Sequence, residues 1–332
     1  MLRTPDERFA GLPGYPFQPQ YIDVPADGLP PVRMHYVDEG PAAGPVVLLL
    51  HGQPTWSFLY RRVIRVLAGA GLRVIAPDNI GFGRSDKPAD PTDYTLARHI
   101  DWMHGLVTGL DLREATLVVQ DWGGPIGLSV LAREPDRFTA VVATNTVLHT
   151  CDPELAGKLT WPHHGVDDDR MLVTETLLDY IAFYRRAPDI VPSEFLRAVA
   201  GPLSPDVLAG YDAPFPDSSY KAGLRQLTAL IPLTRNDPGA VIGRETMAAL
   251  AEWEKPFLTA YSDDDPATRG WETVFAEHVP GATGQPHTTI AGAGHFVPEQ
   301  QGKRLGAVIA ELIASSGPVA DTRFQAQRRP SQ

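Results

Sequence analysis

Apolar side chains along this chain form short continuous runs that alternate with longer stretches of helical spacing. Continuous runs the length of a buried strand occupy residues 32–37, 46–50, 73–76, 116–119 and 140–144. Apolar residues recur every three or four positions at residues 59–68, 97–110 and 125–133, and this spacing predicts helices. Strands separated by helices of this size predict βαβ units and a mostly parallel sheet flanked by helices.

This alternation stops after about residue 147 and resumes with strand-like runs at 256–261 and 288–290. The intervening stretch is rich in proline, acidic residues and helical patterns, without a convincing core strand. We therefore expect one α/β fold with a mainly helical insertion. The predicted organisation is a core at 1–147 and 245–314, a helical cap at 148–244 and a flexible tail at 315–332.

Composition places the chain among ordinary globular proteins. It has 332 residues, of which 43% are hydrophobic and 21% charged, and a net charge of −11. This charge argues against nucleic acid or anionic membranes as partners. A lone cysteine, Cys151, excludes an internal disulfide. The sequence has no secretory leader pattern and no apolar run long enough to cross a bilayer, so a cytoplasmic location is the default expectation. We expect a monomer or a weak homo-oligomer.

Candidate chemistry begins at the segment QDWGG, residues 120–124, which follows the apolar run 116–119 and precedes the predicted helix. This is the strand–turn–helix pattern of a nucleophile elbow, with Asp121 where a serine hydrolase carries serine. A carboxylate suits displacement at saturated carbon, because water can later open the resulting ester at the carbonyl of the acid itself. Asp121 is therefore the predicted nucleophile. A helix N-cap is the alternative reading of the same residue.

Two further elements follow later strands. The acidic segment DDDP, residues 263–266, comes directly after the run 256–261, and His295 lies in a glycine-rich turn after 288–290. The order nucleophile, acid, histidine is that of α/β-hydrolases. We expect Asp265 to orient His295, with Asp264 as the alternative acid.

The turn HGQPTW, residues 51–56, begins where the run 46–50 ends. Such a turn supports an oxyanion hole, in which the backbone N–H of Gln53 would pair with that of Trp122. A tight turn that needs glycine for its backbone angles accounts for the same residues, and both interpretations can hold together.

Taken together, these motifs resemble the α/β-hydrolase superfamily and, within it, most closely the haloalkane dehalogenases. The similarity extends from the first residues to the last core helix. The segments that carry it are 36–40, 51–62, 76–78, 81–88, 120–124 and 213–220.

The resemblance implies a reaction in two steps without a metal or organic cofactor. Asp121 would displace halide from a small halogenated substrate and form an alkyl ester. His295, oriented by Asp265, would then activate water to hydrolyse this ester, with the oxyanion held by Gln53 and Trp122.

The resemblance also implies a halide site and a substrate pocket. The indole N–H of Trp122 donates without an acceptor lone pair, which suits a halide ligand. The second donor is where this chain departs from the family, and either Gln53 or Tyr180 could supply it. The predicted pocket residues are Trp56 and, in the cap, Leu177, Tyr180, Phe183 and Tyr184.

Epoxide hydrolase is the competing hydrolase, because it shares the aspartate nucleophile and uses cap tyrosines as acids. Tyrosines at 180, 184, 211 and 220 in the insertion are the candidates. A non-catalytic binding protein on the same scaffold is the remaining class, and tight binding without turnover would favour it.

Overall fold

The computed structural model describes residues 1–156, 158–159, 163–167, 170–173 and 175–316. Its strands are β1 Gln20–Val24, β2 Val32–Glu39, β3 Val46–Leu50, β4 Arg73–Pro77, β5 Ala115–Asp121, β6 Phe138–Thr146, β7 His163–Asp167, β8 Arg170–Val173, β9 Phe257–Ser262 and β10 Thr288–Ile290.

Over these described ranges, eight strands form one sheet in the order β1-β2-β4-β3-β5-β6-β9-β10. β2 pairs antiparallel with β1 and β4, whereas the other neighbours pair in parallel. β3 and β5 are buried almost throughout, which explains their continuous apolar runs, since helices cover both faces of a parallel sheet. The mostly parallel sheet predicted from the sequence is confirmed.

Twelve α-helices accompany the strands in the described residues. They are α1 Arg61–Gly69, α2 Leu96–Gly109, α3 Gly123–Arg133, α4 Pro153–Ala156, α5 Glu175–Arg186, α6 Pro192–Val199, α7 Pro205–Asp212, α8 Ala222–Ala229, α9 Pro238–Leu250, α10 Trp271–His278, α11 Val297–Gln300 and α12 Gly302–Ser316. None of them combines the length and apolar content that a membrane crossing requires.

The chain between β6 and β9 carries α4–α9, and it also holds a small antiparallel sheet of β7 and β8 that the helical pattern did not predict. Helix α9 runs across residue 244, the predicted end of the cap, and packs on α3. The core and cap bounds given above stay a prediction. Residues 317–332, most of the predicted tail, lie outside the described residues.

Register between β3 and β5 determines where the functional residues lie. Val47 aligns with Thr116 and Leu50 with Val119, in parallel. The carboxyl ends of both strands therefore meet at the same edge of the sheet, which is where open α/β sheets bind their ligands.

A buried ion pair lies outside this edge and joins α1 to α11. Arg61 Nη2 lies 2.8 Å from Glu299 Oε1, and the Tyr211 hydroxyl donates to Glu299 Oε2 at 2.6 Å. All three side chains are almost inaccessible to solvent. The half-exposed Arg62 also lies 3.5 Å from Glu299 Oε1. Arg61 is buried with Glu299 as its charged partner, so removing the Glu299 charge is costly.

Candidate active site

Asp121 ends β5 with a backbone φ of +51°. A positive φ is uncommon for a residue with a side chain and marks a strained turn that exposes the carboxylate. The two glycines that follow are required by packing. A Cβ on Gly123 would collide with the Leu50 carbonyl, and one on Gly124 with the Thr146 hydroxyl.

The structure brings Asp121, His295 and Asp265 together. His295 Nδ1 lies 3.0 Å from Asp265 Oδ2, and His295 Nε2 lies 3.3 Å from Asp121 Oδ2. Asp265 is buried, whereas the alternative acid, Asp264, has an exposed side chain. The imidazole thus lies between two carboxylates, and Asp265 is the acid that contacts it.

The two carboxylates change the proton affinity of the imidazole. Burial lowers the pKa of His295, but Asp265 and Asp121 outweigh burial and raise that pKa to about 10. Burial also raises the pKa of Asp265. The effect of His295 and of nearby hydrogen-bond donors is larger, and together they lower the pKa of Asp265 to about 2. Both shifts favour a protonated imidazole paired with an ionised Asp265 in the resting arrangement.

Asp265 is held by donors that sequence reasoning missed. Its Oδ2 accepts hydrogen bonds from Asn145 Nδ2 at 3.0 Å and from the Thr268 hydroxyl at 2.5 Å, and its Oδ1 accepts from the Ala267 N–H at 2.9 Å. Asn145 also joins neighbouring strand ends, because its Oδ1 accepts from the Ser262 N–H. A polar residue directly after the apolar run 140–144 was the available signal for Asn145.

The loop after β3 contacts the nucleophile. The Gln53 N–H donates to Asp121 Oδ1 at 2.7 Å. Gly52 permits this approach, because a Cβ there would collide with the Asp121 carboxylate. Trp122 precedes α3 directly, at a helix end where backbone N–H groups have no partner within the helix.

A cavity of about 450 Å³ opens over these groups. Gln53, Asp121, Trp122 and His295 line it, and Tyr180 from α5 contributes to its wall. This volume lies within the range of small-molecule pockets. The walls are mostly apolar, and the polar groups converge on Asp121.

Four other predicted pocket residues are not among those that line the cavity. Trp56 is fully buried and stacks on Phe58, with its indole donating to the Gly210 carbonyl at 3.0 Å. Leu177 and Tyr184 are fully buried, and Phe183 is 53% exposed on α5. These four side chains lie outside the cavity wall because the spacing of a helix or turn does not determine which of its faces points inward.

His149, which sequence reasoning also missed, lines the cavity beside Trp122, with ring centroids 5.3 Å apart. Burial lowers its pKa to about 4, so its imidazole is neutral near pH 7. Among the side chains that the structure describes, no group of three or more His, Cys, Asp or Glu is placed to hold a metal ion.

Comparison with known proteins agrees with this architecture. A family model described as the alpha/beta hydrolase fold matches residues 45–180, and the sheet order and elbow place the chain in that class. A haloalkane dehalogenase from Psychrobacter cryohalolentis is 44% identical over 94% of this chain and 98% of its own length. Another from Mycobacterium marinum is 44% identical over 95% of this chain and 99% of its own length. The chain belongs to the haloalkane dehalogenase family.

A solved structure supports this assignment. The tetrameric haloalkane dehalogenase DpaA from Paraglaciecola agarilytica NO2 superposes with a TM-score of 0.80 at 32% identity, covering 95% of this chain and 98% of that one. The expectation of a monomer or weak homo-oligomer for this chain stays a prediction.

Proposed function

We propose that this protein hydrolyses haloalkanes to alcohol and halide through an alkyl ester on Asp121. One observation carries the proposal: a carboxylate on a strained turn lies between an oriented imidazole and a backbone N–H donor, at the wall of an apolar cavity. Family membership supports the carbon–halogen bond as the one that is broken. The substrates are then a small halogenated compound and water.

In the first step, Asp121 attacks the carbon that bears the halogen. Because the Gln53 N–H holds Oδ1, we assign the attack to Oδ2. The new carbon–oxygen bond forms as the carbon–halogen bond breaks, and halide leaves with the bonding electron pair. Enclosure makes the attack effectively intramolecular.

In the second step, His295 Nε2 removes a proton from water, whose oxygen adds to the ester carbonyl carbon. The Gln53 and Trp122 N–H groups would hold the charge that develops on Oδ1. Collapse of this intermediate breaks the bond between the carbonyl carbon and Oδ2, and the departing alkoxide leaves as alcohol with the proton that His295 removed from water. The carboxylic acid left on Asp121 returns its proton to His295. The alcohol therefore carries an oxygen that belonged to Asp121.

Alkylation itself prepares His295 for its role as a base. While Asp121 is charged, it helps to raise the pKa of His295. The ester is neutral, so this contribution is lost once the substrate is bound covalently, and the imidazolium can release its proton to solvent water. The histidine that then faces the ester is better suited to accept a proton from water.

Trp122 is our proposed first halide donor, and the cavity offers two candidates for the second. Gln53 and Tyr180 both line it. One amide hydrogen of Gln53 is committed to the Thr228 hydroxyl at 2.6 Å, which leaves the other hydrogen for halide. The Tyr180 hydroxyl is the alternative.

Epoxide hydrolysis is not favoured. Tyr184 is fully buried, and the hydroxyl of Tyr211 donates to Glu299 away from the cavity. Of the four cap tyrosines considered, Tyr180 alone is among the cavity residues described.

The activity can be tested by incubating the purified protein with 1-bromobutane, 1,2-dibromoethane and styrene oxide, following halide and diol separately. We expect halide release without diol, and its loss in Asp121→Ala. Asp136→Ala, at an exposed aspartate that does not line the cavity, is the matched control and should retain activity. Diol from styrene oxide without halide from either bromoalkane would overturn the proposal.

The halide role of Trp122 has its own test. Trp122→Phe should slow halide release in a single turnover, because the indole donor is lost. Trp253→Phe changes another buried indole and should leave the rate unchanged. Equal rates in Trp122→Phe and the wild type would remove Trp122 from the halide site.

A further inference from the structure

Thr228 lies in α8, a helix of the long segment between β6 and β9, and is 1% exposed. Its hydroxyl accepts a hydrogen bond of 2.6 Å from Gln53 Nε2. The two residues are 175 positions apart in the chain. This contact therefore joins the loop after β3 to a helix of the inserted segment.

Gln53 makes a second contact through its backbone. Its N–H donates to Asp121 Oδ1 at 2.7 Å. One residue thus holds the nucleophile with its main chain while its side chain is held by α8. The path from α8 to Asp121 consists of two short hydrogen bonds.

We propose that Thr228 is a positioning residue for the reaction, because its hydroxyl fixes the Gln53 side chain and thereby the N–H that binds Asp121. The inference rests on the proposed function, since it assigns a role relative to the Asp121 ester. Thr228 itself does not line the cavity described above, so it acts through Gln53 rather than on the substrate.

Helix α8 is a firm support for this role. At Gly223 it approaches the core so closely that a Cβ would lie 2.8 Å from Tyr94 Cε1. Tyr94 is fully buried and donates its hydroxyl to the Pro88 carbonyl at 2.7 Å. The hydroxyl of Thr228 is therefore presented from a helix whose first turn is packed against the core.

Tyr180 belongs to the same cluster. It lines the cavity together with Gln53, and its ring lies 4.8 Å from that of Tyr184, while burial raises its pKa well above the usual value. Thr228 thus holds Gln53, one of the two candidates for the second halide donor. Loss of its hydroxyl should disturb halide binding and the oxyanion N–H together.

Two substitutions separate the hydroxyl from the shape of the side chain. Thr228→Val keeps the volume and removes the hydroxyl, whereas Thr228→Ser keeps the hydroxyl. In single turnovers with 1-bromobutane, we expect Thr228→Val to slow alcohol formation by about tenfold, the equivalent of one hydrogen bond. Bromide should quench its tryptophan fluorescence at higher concentrations than in the wild type. Thr228→Ser should restore both properties.

Thr246→Val is the matched control. Thr246 is another buried threonine, and its hydroxyl bonds to the Ser129 hydroxyl at 2.7 Å between α9 and α3. We expect this variant to lose thermal stability while its single-turnover rates stay at the wild-type value. If Thr228→Val does not fold, Thr228→Ala takes its place.

A double-mutant cycle tests whether Thr228 acts through Gln53. In a Gln53→Met background, which keeps the backbone N–H, Thr228→Val should cause no further loss of rate. Additive losses would overturn the proposal. So would wild-type rates and bromide affinity in Thr228→Val, or equal losses in Thr228→Val and Thr228→Ser.

The failure of this inference is distinguishable from failure of the proposed function. If substrate forms no ester on Asp121 in His295→Gln, as judged by mass spectrometry, the proposed function fails whatever Thr228 does. If the ester forms and the Thr228 variants behave as the wild type, the positioning role alone is wrong.

Discussion

Replacing Asp265 with asparagine removes one negative charge from the triad and changes its shape very little. Asp265 and Asp121 together raise the pKa of His295 from 6.5 to about 10, against the effect of burial. At about 1.4 kcal/mol per pKa unit, this rise stabilises the protonated imidazole relative to the neutral one by about 5 kcal/mol. Once Asp121 is esterified, Asp265 is the remaining carboxylate in contact with the imidazole.

Asp265→Asn should therefore affect the two steps unequally. Alkylation of Asp121 requires no proton transfer, so we expect its rate to stay within about tenfold of the wild type. Ester hydrolysis requires a general base, whose contribution is typically about 10²–10⁴-fold, and it should slow by that order. The oxygens of Asp265 accept from the Ala267 N–H and from His295 Nδ1. Either orientation of the asparagine amide in the variant therefore places its NH₂ group against one of these donors.

Rapid-quench kinetics with 1-bromobutane separates these steps. The Asp265→Asn variant should release about one halide per active site in a burst, followed by slow formation of alcohol. Asp136→Asn, at an exposed carboxylate that does not line the cavity, should behave as the wild type. The reasoning is refuted if halide release slows as much as alcohol formation and no ester accumulates on Asp121.

Three further predictions follow from other contacts. Because the pKa of His295 is raised above its unfolded value to about 10, its contribution to stability is complete below pH 6.5 and lost as pH rises towards 10. Urea unfolding should show a decline of up to about 1.4 kcal/mol per pH unit that is absent from His295→Gln; equal slopes would contradict it. Glu299→Gln leaves a buried arginine without its charged partner and should lower the free energy of unfolding by about 3–5 kcal/mol, and a loss below about 1 kcal/mol in urea would disprove it. Gly52→Ala places a Cβ against the Asp121 carboxylate and should reduce halide release by about 10²-fold, whereas the unobstructed Gly69→Ala should retain it, so equal activity would argue against the clash.

Sequence patterns predicted the strands best where the signal was local. The bounds of β3 and β10 are those expected from their short runs. β1, Gln20–Val24, was missed because it is an edge strand with one fully buried side chain, so it lacks an apolar run. The pair β7 and β8 was missed because the helical pattern dominated the insertion.

The same distinction applies to the site. Asp121, His295 and Asp265 follow predicted strands, and parallel strands carry such residues to one edge of the sheet. Asn145 and Thr228 form hydrogen bonds to partners that are distant in the chain. Asn145 bonds to Asp265, 120 positions away, and Thr228 bonds to Gln53, 175 positions away. No local sequence pattern contains such pairs. Trp56, Leu177, Phe183 and Tyr184 lie outside the cavity lining, because the predicted elements do not determine which side chains face the cavity.

The origin of the oxygen in the alcohol distinguishes a covalent ester on Asp121 from direct attack by water. A single turnover with enzyme in excess is run in water enriched in heavy oxygen, and the alcohol and the enzyme are both analysed by mass spectrometry. We predict an alcohol with unlabelled oxygen and label in the peptide that contains Asp121. Label in the alcohol with none in that peptide would show that water attacks the substrate carbon directly and that no ester forms.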